Sequence, residues 1–300
     1  MAATWRGWKL DAWRDVEATT PYLVLDVFTD TPLEGNQLAV FPDAGRFSSE
    51  QMQRLAREMS FSESAFVLAP QGDGDVRVRI FTPNHELPFA GHPVLGCAFV
   101  VGDSLDREAV RLETGLGVIP IELERDDGRI VFGRMQQKVP AWHPYERERE
   151  LLAALGVQRS GLPVEVYPNG PLHVYVELES EGAVAALRPN FAALTELGQI
   201  AANCFAGRGR SWKTRMFAPT GGVFEDPATG SAAGPLAVHL SRYGRIAFGE
   251  QIEIRQGAEI GRPSVLYARA DGSADEIERV EVGGSAVIVA RGEFRASARS

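Results

Sequence analysis

Two segments of the chain repeat the same short pattern, and this internal echo limits the possible folds more than any other feature. FTPNHELPFAGHPVLG (81–96) and FAPTGGVFEDPATGSAAGPLA (217–237) both contain Phe-x-Pro, a linker, and Glu-x-Pro-x-x-Gly before a run of small residues. Further along, ETG at 113–115 aligns with RQG at 255–257. We interpret the echo as two related halves with a cleft between them, although two Pro/Gly turns can also resemble each other by chance.

The hydrophobic pattern predicts the same order of elements in both halves. In the first half, 22–42 is typical of a β-hairpin around PLEGN, and SSEQMQRLAREM is typical of a Ser-capped amphipathic helix. Two alternating strands, an apolar helix entered at AGHP, and further strands up to 134 follow. In the second half we expect strands near 163–178, 213–218, 251–256, 264–271 and 277–291, and helices near 190–203 and 230–242.

These elements predict an α+β fold class and a division into three segments. Residues 1–20 form an N-terminal extension without a sustained hydrophobic period. Residues 21–135 form an N-terminal lobe, which a C-terminal strand at 280–295 can complete, and residues 136–279 form a C-terminal lobe. We expect each lobe to be a mostly antiparallel sheet with a helix that begins at its Gly-rich turn.

Charge and hydropathy favour a small-molecule ligand over a nucleic acid or a membrane. The 31 basic and 40 acidic residues give a formal net charge of -9, and no large Lys/Arg cluster interrupts this acidity. No apolar run approaches the ~18 residues of a membrane span. The first twenty residues also lack the apolar stretch of a secretory signal, so we expect a cytoplasmic protein.

Cysteine and histidine patterns argue against a metal centre. Cys97 and Cys204 lie in apolar surroundings, which is typical of buried, unreactive thiols. The five histidines lack the i, i+4 spacing of a helical zinc pair, so we expect no catalytic metal. A nucleotide also has little support, because ATGSAAG lacks the Gly-Lys-Ser/Thr ending of a phosphate loop.

Both echoed turns end where a helix should begin, at AGHPVLG (90–96) and ATGSAAG (228–234). A helix start presents unpaired backbone N–H groups and the positive end of the helix dipole. Two such starts facing one cleft would hold an anion or stabilise negative charge that develops in a ring. The alternative is that Gly and Pro only shape the entry into each helix.

Three titratable residues near these turns are candidates for acid/base chemistry. Glu63, in FSESAFVL, precedes an apolar strand, and burial there would raise the pKa of its carboxyl towards neutrality. The alternative is a solvated loop carboxylate. Asp226 stands between a glutamate and a proline, where acidic residues often only form turns. His92 follows a glycine at a helix start, where capping or packing is the competing role.

Six segments, in this order, resemble the PhzF family of phenazine biosynthesis: DVFTDTPLEGNQLAVF, MQRLAREMSFSESAFVL, FTPNHELPFAGHPVLG, NGPLHVYVEL, NCFAGRGRSWKTRMFAP and EDPATGSAAGPLAVHL. The resemblance implies a diaminopimelate-epimerase-like fold, in which two pseudo-symmetric lobes each wrap a curved sheet or barrel around a central helix. The epimerase branch places a cysteine at each helix start. Here those turns carry His92 and Asp226, so two-thiol racemisation is not expected.

The resemblance also implies which residues act. Glu63 matches the family's catalytic glutamate, and His92 and Asp226 match its supporting residues. The substrate-binding positions at the two helix starts are Gly91, Gly230, Ser231 and Ala232.

The implied protein is a homodimeric isomerase that needs no cofactor. It would convert trans-2,3-dihydro-3-hydroxyanthranilate to the amino-oxo-cyclohexene carboxylate used in phenazine biosynthesis, by proton transfer through Glu63. Two alternatives stay open. One is an isomerase or epimerase acting on another small carboxylic acid, and the other is a non-catalytic metabolite-binding protein.

Overall fold

The structure, a computed structural model, describes residues 19–294, so the N-terminal extension predicted for 1–20 lies almost wholly outside the described residues. The described helices are α1 (Ser49–Met59), α2 (Gly91–Leu105), α3 (Glu148–Leu155), α4 (Glu181–Ala186), α5 (Phe191–Thr195) and α6 (Gly230–Arg242). None of these helices is long and apolar enough to cross a membrane.

Eighteen strands complete the described part of the chain. The strands of the first half are β1 (Thr20–Val27), β2 (Asn36–Phe41), β3 (Glu63–Leu68), β4 (Val76–Phe81), β5 (Glu86–Leu87), β6 (Ala109–Thr114), β7 (Gly117–Asp126) and β8 (Arg129–Gln137). Those of the second half are β9 (His143–Pro144), β10 (Glu165–Pro168), β11 (Leu172–Glu177), β12 (Ile200–Arg208), β13 (Ser211–Ala218), β14 (Val223–Asp226), β15 (Ile252–Gln256), β16 (Ser264–Gly272), β17 (Ile277–Gly284) and β18 (Ala286–Phe294).

Strand pairing repeats between the two halves. In the first half, β1 and β2 are antiparallel, β2 and β3 are parallel, and β3 and β4 are antiparallel. β4 pairs antiparallel with β5 and parallel with β6. β6, β7 and β8 then form an antiparallel meander. Strands β10 to β17 repeat these pairings in the same order and the same directions. The α+β architecture of two related lobes is therefore confirmed.

The lobes are joined by strands that cross between them. β8 pairs antiparallel with β17, so the last repeated strand of each half meets its counterpart. β18 follows the strands of the second half but pairs along the whole of β1 in the first half. β9 pairs with β10 and stays within the second half. The single strand expected at 277–291 is wrong, because the strand is interrupted at Ser285. The two resulting strands, β17 and β18, belong to different lobes.

Each lobe encloses one central helix. α2 is apolar almost all round, with eleven of its fifteen residues buried, as expected for a helix that a sheet surrounds. It contacts strands β1 to β4 and β6 to β8. α6 is buried from Gly230 to Ser241 and contacts β16 and β17. The two central helices also contact each other, and this meeting point positions the site described below.

The amphipathic helix predicted after Ser48 is confirmed as α1. The Ser48 side chain accepts from the backbone N–H of Gln51, and the Gln51 side chain accepts from the Ser48 N–H, which forms a complete capping box. Met52, Leu55 and Ala56 are buried, as the helical spacing predicts.

The helix expected over 190–203 is wrong for most of its length. Asn190 caps α5, but the helix ends at Thr195, and Gly198 adopts a positive φ of 91° that ends the helical path. From Ile200 the chain forms β12, which lies between β11 and β13 inside the sheet. Pairing with a strand on each side outweighs the local helical preference of a segment rich in Ala and Leu.

Candidate active site

A cavity of about 280 Å³ lies between the two lobes, at the N-termini of α2 and α6. Six of the seven sequence-predicted site residues line it: Glu63, His92, Asp226, Gly91, Gly230 and Ser231. A larger and more open concavity of about 1240 Å³ lies beside α3 and α4, but it contains none of these residues. The interlobe cavity is therefore the candidate active site.

The starts of α2 and α6 touch each other. A Cβ atom added to Gly91 would lie 2.6 Å from the carbonyl carbon of Gly230, so only glycine allows this approach. Neither helix has a side-chain cap, and the N–H groups at the start of a helix have no partner within it. Two sets of backbone donors and two positive helix ends therefore converge on one cavity, which is an arrangement suited to a carboxylate.

Ala232 is the one predicted site residue that the structure does not place at the cavity. It lies one position further into α6, and its N–H donates to the carbonyl oxygen of Thr229 at 3.0 Å. Because this N–H is already paired, the donors at the start of α6 are those of Gly230 and Ser231.

An internal proline shapes the start of α6. Pro235 has no N–H, so it cannot donate to the carbonyl of Ser231, four residues earlier. The side chain of Asn169 replaces the missing donor, with Nδ2 2.8 Å from the Ser231 carbonyl oxygen. Side chains also donate to the carbonyls on either side, Gln137 to Gly230 at 2.9 Å and Tyr175 to Ala232 at 2.6 Å. These bonds fix the turn that faces the cavity.

Glu63 is the first residue of β3, and its side chain is 15% exposed. Burial, and to a smaller extent the nearby charge of Asp226, raise the pKa of its carboxyl from 4.5 to about 8, against the opposing effect of a hydrogen bond from Ser62. A carboxyl with this pKa can both release and take up a proton near neutral pH, as acid/base catalysis requires.

His92 lies next to Glu63 in the cavity lining, with its Nε2 3.6 Å from the Glu63 Oε2. Burial lowers the pKa of the imidazole to about 3, so the ring is neutral in the physiological range. Nε2 has no hydrogen-bond partner among the described residues, which leaves it available to a ligand or to the Glu63 carboxyl. The two groups form a neutral pair rather than an ion pair at neutral pH.

Asp226, the last residue of β14, is held by hydrogen bonds to both carboxyl oxygens. Oδ1 accepts from Asn36 Nδ2 at 2.9 Å, and Oδ2 accepts from the Thr229 hydroxyl at 2.6 Å. Burial raises the pKa of this carboxyl to about 6, whereas these two hydrogen bonds oppose the rise. Asp226 is therefore a fixed acceptor on the opposite lobe from Glu63.

Sequence reasoning did not identify the residues that hold the catalytic side chains. Asn36 comes from the PLEGN turn of the first lobe, and its Nδ2 also donates to the carbonyl of Ala228 in the second lobe at 2.9 Å. The side-chain amide of Gln256 donates to the backbone carbonyl oxygen of Asp226 at 2.8 Å and to the Thr229 hydroxyl at 2.9 Å. The only available signal was that Gln256 lies in RQG, one of the echoed triplets.

The two cysteines lie away from the cavity. Cys97 is buried inside α2 and Cys204 inside β12, as expected for structural thiols. Burial raises the pKa of both thiols, that of Cys204 to about 12, so neither is a thiolate near neutral pH. Within residues 19–294, no group of three or more His, Cys, Asp or Glu side chains is arranged to hold a metal ion.

Comparison with known proteins gives a consistent relationship. The family model described as phenazine biosynthesis-like protein matches residues 25–292. Trans-2,3-dihydro-3-hydroxyanthranilate isomerase from Pseudomonas aeruginosa is 55% identical over 271 residues, which cover 90% of this chain and 98% of that protein. The protein of the same name from Pseudomonas chlororaphis is 54% identical over the same shares of the two chains.

A solved structure shares the fold. The crystal structure of a PhzF-family phenazine biosynthesis protein from Bacillus anthracis superposes with a TM-score of 0.81 at 23% identity, covering 93% of this chain and 99% of that one. The two-lobe architecture, the convergent helix starts and the match along 25–292 agree with one another. The chain belongs to the phenazine biosynthesis-like family, PhzC-PhzF.

Proposed function

We propose that the protein is a trans-2,3-dihydro-3-hydroxyanthranilate isomerase, an intramolecular isomerase that moves C=C bonds by acid/base catalysis. The observation that carries the proposal is the placement of Glu63. Its carboxyl, with a pKa raised to about 8 by burial, lines a small cavity between two helix starts. The 55% identity to an enzyme of this name, over nearly the whole length of both proteins, supports the choice of substrate.

The cavity provides a complementary group for each polar substituent of this substrate. The ring carboxylate fits the converging N–H donors at Gly91 and Gly230, where the positive helix ends also lie. The amine and the hydroxyl are hydrogen-bond donors, and the fixed Asp226 carboxyl is an acceptor that lines the same cavity. His92 Nε2 also faces this region and has no partner among the described residues. A volume of about 280 Å³ suits a single substituted six-membered ring.

The reaction then needs one acid/base group. In its ionised form, Glu63 takes the proton from the ring carbon that carries the hydroxyl, and the electrons of that C–H bond spread along the two conjugated double bonds. The negative charge reaches the carboxylate, where the helix starts stabilise it. Glu63 then returns the proton to the ring carbon that bears the carboxylate, which leaves an enol that relaxes to the ketone.

All electrons stay within the substrate in this scheme. Glu63 moves one proton between two ring carbons as the double bonds move, and the enol becomes the ketone when its hydroxyl proton is lost to water and a proton is added to the neighbouring ring carbon. His92 and Asp226 hold the ring so that one face meets Glu63. Because Glu63 must be ionised to start the reaction, kcat/KM of the free enzyme should rise with pH through about 8.

Turnover in deuterated water tests the proposal. The purified protein is incubated with trans-2,3-dihydro-3-hydroxyanthranilate, and the product is followed by NMR and by the loss of the diene absorbance. We expect the conjugated double bonds to move and a ketone to form. Deuterium incorporation at one stereocentre with unmoved double bonds would indicate an epimerase instead, and binding without any chemical change would indicate a non-catalytic protein.

A homodimeric state, a cytoplasmic location and the absence of cofactor and metal remain predictions of this proposal. The acidic net charge of -9 supports a small cyclic amino-carboxylate as the partner over a nucleic acid or an anionic membrane. Light scattering measures the oligomeric state, and cell fractionation measures the location. Full turnover by protein dialysed against a chelator would support the metal-free reaction.

A further inference from the structure

A buried chain of polar groups lies behind the start of α6 and ends at the Ser231 hydroxyl. His173 on β11 is fully buried, and Asn203 on β12 is 3% exposed. His173 Nε2 lies 3.0 Å from Ser231 Oγ, and Asn203 Nδ2 lies 3.3 Å from His173 Nδ1. At the far end, Asn203 Nδ2 donates to the backbone carbonyl of Ala201 at 2.8 Å.

The direction of every hydrogen bond in this chain follows from its last member. The carbonyl of Ala201 can only accept, so the NH₂ group of Asn203 must face it, because a flipped amide would bring two oxygens together. The second N–H of the same amide then donates to His173 Nδ1, which must carry no proton. The ring proton therefore sits on Nε2.

The neutral state of the ring follows from its surroundings. Burial lowers the pKa of His173 to about 3, and no acidic side chain forms a hydrogen bond or an ion pair with it in the described residues. Since Nε2 carries the proton, it donates to Ser231 Oγ. The hydroxyl hydrogen of Ser231 must then point elsewhere, and the described residues provide no acceptor for it.

Ser231 lines the candidate active site, so the open direction is the cavity. We propose that His173 and Asn203 are positioning residues that force the Ser231 hydroxyl to act as a hydrogen-bond donor towards the ligand carboxylate. The residue of α2 that corresponds to Ser231 is His92, so only the second lobe provides a hydroxyl at its helix start. This inference rests on the proposed function in one respect, that the helix starts receive the substrate carboxylate.

Ligand binding separates this role from a structural one. The probe is 3-hydroxyanthranilate, the aromatic analogue of the substrate, and the matched control ligand is 2-aminophenol, which lacks only the carboxylate. In calorimetry, His173→Phe should weaken binding of 3-hydroxyanthranilate about tenfold, as expected for the loss of one hydrogen bond to a charged group. Binding of 2-aminophenol should not change.

Two further variants test the route through the hydroxyl. His173→Gln keeps a donor near the position of Nε2 and should restore most of the affinity. In a Ser231→Ala background, His173→Phe should have no additional effect, because the group on which it acts is gone. An equal loss for both ligands, or a full tenfold loss in the Ser231→Ala background, would show that His173 only supports packing.

A spectroscopic measurement tests the inference without ligand binding or turnover. Long-range ¹H–¹⁵N correlation of histidine-labelled protein reports the tautomer of each imidazole, and a His173→Gln spectrum assigns the signal. We expect His173 to be neutral and protonated on Nε2 between pH 6 and 8, which are about the limits of the physiological range. Protonation on Nδ1, or an imidazolium, would overturn the inference. If the wild-type protein bound 3-hydroxyanthranilate but did not turn over the substrate, the proposed function would fail and this inference would stand.

Discussion

Replacing Glu63 with glutamine should make the protein more stable while removing its acid/base group. In the folded protein the carboxyl has a pKa of about 8, whereas the ordinary value of 4.5 applies to the unfolded chain. At pH 7 the folded state therefore retains a proton that the unfolded chain releases. At about 1.36 kcal/mol per pH unit between 4.5 and 7, this difference lowers the free energy of unfolding of the wild type by about 3 kcal/mol.

The sign of the effect determines its pH dependence. Below pH 4.5 the carboxyl is protonated in both states, so it does not reduce the stability of the wild type. As the pH rises towards 8, the unfolded chain ionises first and the wild type loses stability. Glu63→Gln has no proton to lose, so its advantage should grow from about pH 4.5 and level off above pH 8.

Urea unfolding of both proteins at several pH values between 5 and 9 measures this advantage. Glu58→Gln is the matched control, because Glu58 is exposed on α1, away from the cavity. We expect the control to follow the wild type at every pH. A stability difference between Glu63→Gln and the wild type that stayed constant with pH would refute the reasoning about burial.

Three other substitutions have defined outcomes. Gly91→Ala should destabilise the protein by about 1–3 kcal/mol and abolish ligand binding in calorimetry, because the added Cβ would force the two helix starts apart. Gly45→Ala is the control and should be neutral, because its added Cβ meets nothing within 4 Å. Asp226→Asn removes a charge that raises the pKa of Glu63, so the acid limb of the kcat/KM profile should move to lower pH; an upward shift would contradict this. Asn169→Leu should cost about 1–3 kcal/mol in urea unfolding, because a buried helix carbonyl loses its donor; an unchanged midpoint would argue against that role.

The two-lobe fold could be predicted because its signals are local in the sequence. Both echoed turns keep the same Glu-x-Pro-x-x-Gly spacing, and both lead into helices that begin at Gly91 and Gly230. A helix buried on all sides leaves an apolar run that is visible without a structure. The position of Glu63 before an apolar strand was visible for the same reason.

The remaining details depend on contacts between distant parts of the chain. Asn36 reaches Asp226 from 190 residues away, and nothing in the PLEGN turn marks its side chain as a partner. The segment after Gly198 forms β12 because strands on both sides pair with it. The resemblance placed Ala232 at the cavity, but the Ala232 N–H donates to the Thr229 carbonyl oxygen. That hydrogen bond depends on the geometry of the first turn of α6, which the sequence does not show.

The central claim is that Glu63 carries the proton, and steady-state turnover of trans-2,3-dihydro-3-hydroxyanthranilate tests it most directly. The wild type, Glu63→Gln and Glu58→Gln are compared after urea unfolding has shown that all three are folded. We predict that kcat falls about 10²–10⁴-fold in Glu63→Gln, the usual loss for an acid/base group, and is unchanged in Glu58→Gln. Turnover by Glu63→Gln at the wild-type rate would contradict the mechanism, whatever the fold.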